Sequence, residues 1–156
     1  MKKFAAIALL TAMLCSLLCL TGCSPKTAIT PEEFRTTMEA AGYIVFDATS
    51  QLNDAPHITT AYVAFYGDDE YRIEFYVTDS AEYAKYLFDD NKLAFERSTD
   101  GAASHVSVNL LNSNSFKMTT NDQYRVLSRI DNTMIYIKAP EQFKPEINEV
   151  LKSLGY

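Results

Sequence analysis

The side chains with chemistry to offer in this 156-residue sequence are few: 3 Cys, 2 His and two acidic clusters. A thiol can serve as nucleophile or metal ligand, an imidazole as base, and neighbouring carboxylates as a hard-cation site. Spacing decides among these. Cys15, Cys19 and Cys23 all fall near the N-terminus, the first two inside an apolar run where they read as filler. No thiol remains further along to join a His in Cys–His catalysis or to build a disulfide framework. His57 follows Pro56 in a loop and His105 opens a strand, so nothing in their spacing brings them together as metal ligands. Asp68-Asp69-Glu70 and Asp89-Asp90-Asn91 carry charge for a cation without the alternate spacing of a calcium loop. They read as a solvated hairpin tip and a polar helix face. Nucleophile elbow, phosphate loop, zinc-protease helix and dinucleotide fingerprint are all missing from the sequence. No catalytic residue, metal or cofactor is therefore expected.

Two surfaces remain as binding candidates. Tyr62, Tyr66 and Tyr76 with Arg72 fall on an early hairpin, and Tyr and Arg are the residues that most often anchor interfaces. Arg125, Arg129 and Lys138 with Tyr136 fall on the outer face of a late hairpin. Three cations on one face of an acidic chain can attract an anionic ligand.

The elements that must position these residues follow from pattern. Thr30-Pro31-Glu32-Glu33 is a helix start with a capping box, and Phe34, Met38 and Ala41 recur at helical spacing before Gly42. Tyr43 to Phe46 is a short strand, and Asn53-Asp54-Ala55-Pro56 a loop. Ile58 to Tyr66 and Tyr71 to Val77 flank Gly67-Asp68-Asp69-Glu70 as a hairpin. An odd-length loop there would put Ala61, Val63 and Phe65 beside Tyr71, Ile73, Phe75 and Val77, leaving Tyr62, Tyr66, Arg72, Glu74 and Tyr76 opposite. Asp79 reads as the N-cap of a second helix whose stripe is Ala84, Leu87, Phe88, Asn91 and Phe95. A loop around Gly101 leads to strands at His105 to Leu111, Phe116 to Thr120, Tyr124 to Ile130 and Thr133 to Lys138. Asp131-Asn132 suits a two-residue hairpin connection that puts Val126, Ser128, Ile135 and Ile137 on one face. A last helix from about Pro145 carries Ile147, Val150, Leu151 and Leu154 at i, i+3, i+4 and i+7. Pro140-Glu141-Gln142-Phe143 echoes Pro31-Glu32-Glu33-Phe34, but Pro145 cannot sit inside a helix begun at Pro140, so the echo is no internal repeat.

The order is thus α-β-β-β-α-β-β-β-β-α. It describes a single α+β domain with a mainly antiparallel sheet of six or seven strands and three helices packed on one face.

The leader is a separate object. Lys2 and Lys3 precede a run from Phe4 to Leu20 that is apolar except for Thr11 and Ser16, the pattern of a secretory signal. It ends in Leu20-Thr21-Gly22-Cys23. This stretch, residues 1–23 alone, resembles the signal peptide and lipobox of bacterial lipoproteins. The resemblance implies a diacylglyceryl group on the Cys23 thiol, cleavage between Gly22 and Cys23, and a new N-terminus open to acylation. It implies residues 1–22 as signal peptide; the chain pattern then gives 23–30 as the lipidated Cys and tether and 31–156 as the globular domain. Loss of Lys2 and Lys3 takes 14 basic residues to 12 against 20 acidic, moving the net charge from −6 to −8. That balance disfavours nucleic acid as a partner. The expectation is a membrane-anchored extracytoplasmic protein, held at the cell membrane by lipid, that binds an envelope protein or an anionic ligand. A carboxylate-based extracytoplasmic hydrolase and a structural envelope component are the alternatives.

Overall fold

The computed structural model describes residues 25–156 apart from positions 53, 99–102 and 121. The expected signal peptide, Gly22–Cys23 cut and lipid site at Cys23 lie outside the described residues, as do Asn53, Gly101 and Asn121 of the expected loops.

Helix α1 (Pro31–Ala40) starts as its sequence dictates. The Thr30 hydroxyl accepts from the Glu33 amide at 3.2 Å, and the Glu33 carboxylate accepts from the Thr30 amide at 2.7 Å. These reciprocal bonds hold the Glu33 carboxyl below its usual range, the Thr30 amide contributing most. Phe34 and Met38, one turn apart, form the buried face.

The strands are β1 (Ile44–Asp47), β2 (Ile58–Tyr66), β3 (Tyr71–Thr78), β4 (Ser104–Asn109), β5 (Ser113–Thr119), β6 (Gln123–Ile130) and β7 (Thr133–Pro140). Helix α2 (Ala81–Arg97) lies between β3 and β4, and α3 (Lys144–Ser153) closes the chain after a 3-10 turn at Glu141–Phe143. The strands form one sheet in the order β1-β2-β3-β7-β6-β5-β4, and every neighbouring pair is antiparallel. The single α+β domain with an antiparallel sheet and three helices is therefore what the chain builds, with seven strands. Its two hairpin-built halves meet where β3 pairs β7, with Ile73 opposite Ile137 and Phe75 opposite Ile135.

The late hairpin has the expected register: Val126 opposes Ile137, Ser128 opposes Ile135, and Ile130 meets Thr133 around Asp131-Asn132. The early hairpin does not. Tyr66 opposes Tyr71 across a four-residue turn, so Ala64 faces Ile73 and Tyr62 faces Phe75. Ala61, Val63 and Phe65 lie on the opposite side from the one expected. Both faces of β2 are apolar or aromatic, Ala61, Val63 and Phe65 on one and Tyr62, Ala64 and Tyr66 on the other, so its alternation alone does not choose between the two registers.

The reason lies in the layers. Ala64, Ile73, Phe75, Val126, Ile135 and Ile137 pack with α1 and α3 through Phe34, Met38, Ile147, Leu151 and Leu154. On the other face Phe116, Met118, Leu127 and Met134 pack under α2 through Phe88 and Phe95. The expected one-sided helix layer is thus corrected to helices on both faces. Helix α2 must carry the chain from β3, in the sheet's middle, to β4 at its far edge, and it does so over the side that α1 and α3 leave open.

The segment expected as a tether is bonded to the domain from Lys26 onward. The Lys26 amide donates to Asn112 Oδ1 at 3.1 Å, Asn112 Nδ2 donates back to the Lys26 carbonyl at 2.7 Å, and Lys26 Nζ reaches the Gly155 carbonyl at 3.0 Å. Ile29 packs against the larger core.

The β2–β3 turn requires glycine at position 67. Its φ is +58°, and an added Cβ would lie 2.8 Å from Glu70 Oε2. That carboxylate can swing away, so backbone strain sets the size of the effect. Gly67→Ala is expected to cost about 1 kcal/mol, read as a lower urea midpoint at unchanged m-value.

Candidate functional site

Alternation along β3 puts Arg72, Glu74 and Tyr76 on the α2 side of the sheet. The antiparallel neighbour β7 sets Lys138 beside Arg72, Tyr136 beside Glu74 and Met134 beside Tyr76. Helix α2 does not cover this ground completely. A furrow of about 350 Å³ remains, walled by Leu52, Ile58, Leu87 and Asn91 and floored by Arg72, Glu74, Tyr76, Met134 and Tyr136. It continues into a hollow of about 220 Å³ that shares Arg72, Glu74 and Tyr136 and adds Asp69, Tyr71 and Lys138.

Glu74 is the centre of the floor. Arg72 Nε donates to its Oε1 at 2.8 Å, and the Tyr76 hydroxyl donates to the other oxygen. The Glu74 side chain is 14% exposed and that of Arg72 57%. Burial first, and then the charge of Glu74, push the Tyr76 and Tyr136 phenols above their ordinary range. The bond to Glu74 and its charge likewise raise Arg72. The Tyr76 and Tyr136 phenols are therefore neutral at neutral pH. Lys138 has no ion-pair partner among the described residues. One end of the furrow is charged, with Arg72 and Lys138 beside Glu74 and Asp69, and the other, at Leu52, Ile58, Leu87 and Met134, is apolar.

Arg72, Tyr76, Tyr136 and Lys138 are thus brought together, although the sequence placed them in two separate patches. The other four candidates go elsewhere. Tyr62 and Tyr66 lie on the opposite face, Tyr62 beneath the Arg35 guanidinium, 4.6 Å from its ring centre. Tyr66 joins Tyr43, Tyr71 and Phe143, with ring centres 5.2, 5.1 and 5.9 Å away. Arg125 and Arg129, expected on an outer face, are 7% and 6% exposed. Arg125 Nη1 donates to Ser98 Oγ at 2.6 Å and to the Phe95 carbonyl at 3.3 Å, and its Nη2 to Gln123 Oε1 at 2.9 Å. Arg129 donates to Asn114 Oδ1 at 2.8 Å and the Asp131 carbonyl at 2.7 Å, and burial lowers its pKa. The expected cationic face is corrected accordingly: α2 covers it, and two of its three cations serve the protein's own acceptors. Glu74 was missed as a site residue. Its signal was the alternation Arg72-x-Glu74-x-Tyr76, three polar or amphipathic side chains on one face of a strand.

A broader hollow of about 570 Å³ lies at the start of α2, lined by His57, Asp79, Ser80, Glu82, Tyr83 and Tyr86. His57 Nδ1 and Asp79 Oδ2 are 2.7 Å apart, and this contact holds the Asp79 carboxyl below its usual range. Ser80 Oγ donates to Asp79 Oδ1 at 3.1 Å and accepts from the Tyr83 amide at 3.2 Å. The hydroxyl therefore serves the carboxylate and the helix cap. A nucleophilic relay would need it against the imidazole. Ser80, not the expected Asp79, is the N-cap. Asp89 sits on the exposed face of α2, 2.5 Å from Lys85. Among the described residues no three His, Cys, Asp or Glu side chains gather as a metal site.

No protein family and no curated protein matches the chain. Among solved structures, a GTP binding regulator from Thermotoga maritima is similar at 18% identity and a TM-score of 0.46, with 84% of this chain and 88% of that chain covered. A likeness of that size carries nothing about function across.

Proposed function

We propose that the chain is a membrane-anchored extracytoplasmic lipoprotein whose folded part is a binding domain, with its ligand site in the furrow beside α2. The anchor rests on the ordered succession of Lys2-Lys3, the apolar run and Leu20-Thr21-Gly22-Cys23. The binding role rests on one observation: Lys138, without an ion-pair partner among the described residues, stands beside the Arg72–Glu74 pair and Asp69 at one end of a concave, part-aromatic floor, with Leu87 and Met134 at the other. Small-molecule sites have this character, mostly apolar with a few convergent polar groups. The chemistry selected is an anionic head on an apolar body.

A hydrolase of two carboxylates fits less well. Both oxygens of Glu74 already accept protein hydrogen bonds. The other carboxylate lining the furrow, Asp69, belongs to the β2–β3 turn.

Calorimetric titration of soluble residues 24–156 with dodecanoate, below its micelle threshold, tests the site. Saturable binding is expected, with dodecylamine inert. Combined Arg72→Gln and Lys138→Gln should weaken it roughly tenfold or more, the scale of one or two lost charge-assisted bonds. Equal binding by the double variant, or no binding of dodecanoate at all, would overturn this assignment.

A further inference from the structure

Where the lipid chains would attach relative to the fold is set by Lys26. Its amide and carbonyl are both bonded to Asn112, in the turn between β4 and β5. Cys23 is three residues earlier, so at most about 11 Å of extended chain separates the two. A bilayer holding lipid on Cys23 is therefore within reach of the β4–β5 turn.

That turn and its strand carry aliphatic side chains on the outside. Leu111 is 89% exposed, Val106 64%, Val108 46% and Leu110 44%. Strand β4 is the edge of the sheet, exposed along its whole length. Val106 opposes Lys117 in β5, so these side chains are neighbours on the α3 side. There Lys117 Nζ donates to Asn148 Oδ1 at 2.7 Å and Lys144 Nζ to Thr119 Oγ1 at 3.0 Å. Burial, then the charges of Lys26 and Lys144, lower the Lys117 pKa, which fits three ammonium groups gathered along one edge. Among the described residues none of the three has an ion-pair partner. In a chain with excess acid, an uncompensated lysine row beside exposed aliphatics is suited to an anionic, apolar-cored surface.

We propose that the β4–β5 edge rests on the bilayer, with Leu110 and Leu111 entering its interfacial layer and Lys26, Lys117 and Lys144 over anionic headgroups. This rests on the Cys23 anchor proposed above. The lipid chains and the hairpin then hold the domain in one orientation, with the β2–β3 turn at the opposite end of the strands and the other side of the sheet.

Spin labels read this orientation directly. The full-length chain is expressed, processed and reconstituted in phosphatidylcholine–phosphatidylglycerol vesicles with a single label at Leu111→Cys or, for reference, Asp68→Cys. Cys15 and Cys19 leave with the leader and Cys23 is blocked by lipid, so each label is unique. Mass spectrometry of the same samples reports the state of Cys23. The ratio of oxygen to aqueous nickel collisions is expected to be roughly threefold higher or more at position 111 than at 68, and to fall when phosphatidylglycerol is omitted. A lipidated protein whose label at 111 is as aqueous as that at 68 overturns this orientation and leaves the anchor standing. Spin–spin broadening at 111 between copies would assign the edge to self-pairing instead, and also overturns it. A bare Cys23 removes the anchor and this inference together.

Discussion

Phe34→Ala in soluble residues 24–156 is expected to lower the unfolding free energy by about 4 kcal/mol. Phe34 is fully buried and stacks on Phe75, ring centres 4.7 Å apart and planes 12° from parallel. Its neighbours in the core include Ile73, Ile135 and Ile137, all on the central strands β3 and β7. Strands bonded on both sides cannot move in to fill the vacated volume, so the cavity penalty adds to the lost transfer energy. The broken aromatic pair accounts for roughly 1 kcal/mol of that loss. Domains of this size are stable by about 5–15 kcal/mol, so the variant should melt roughly 10–20 °C lower. Phe46→Ala is the control: Phe46 is 55% exposed on the edge strand β1 and should cost less than about 1 kcal/mol. Urea titration followed by tyrosine fluorescence measures both, since the chain has 10 Tyr and 0 Trp. A loss near 1 kcal/mol at Phe34 would mean that α1 is not seated on the sheet as described.

The second large effect belongs to the proposed anchor. Full-length Cys23→Ser is expected to leave the processed, lipidated membrane pool almost completely. A hydroxyl is a far poorer nucleophile than a thiol for building the thioether, and each buried methylene it would have carried is worth about 0.8 kcal/mol. One acyl chain binds a membrane marginally and two or three hold it stably, so loss of the diacyl group is close to all-or-none. Fractionation with mass measurement separates the outcomes: either soluble protein, or a precursor still carrying its 22-residue leader. Membrane retention at the normal processed mass would sink the anchor.

Local chemistry was legible wherever one residue type settles one geometry. Thr30-Pro31-Glu33 fixed the start of α1 down to its two reciprocal bonds. Asp131-Asn132 fixed a hairpin register because two-residue loops leave little choice, and Asp131 takes the required positive φ of 49°. The early hairpin was ambiguous for a physical reason: a sheet covered on both sides lets β2 be apolar or aromatic on both faces, and its alternation points both ways. The same double cover decided the fate of Arg125 and Arg129. Alternation correctly put them together on one face, but whether a face is solvent or helix contact depends on where α2 crosses, which is a property of the whole topology. The furrow was half visible for this reason. Arg72 and Tyr76 were correctly paired on one strand, as were Tyr136 and Lys138 on another. That β3 and β7 lie side by side joins residues about 60 positions apart, and no spacing rule reaches that far.

That seam between β3 and β7 also has a temporal meaning. A chain that emerges N-terminus first delivers β1 to β3 well before β7, so the inner edge of β3 waits without a partner until nearly the whole domain has emerged. Arg72, Glu74 and Tyr76 exist as a row by then, but Tyr136 and Lys138 complete the cleft only when the last strand is zipped in. Affinity for the proposed ligand would consequently be a late reporter of folding, and a molecule bridging the seam would act as a clasp between the early and late halves.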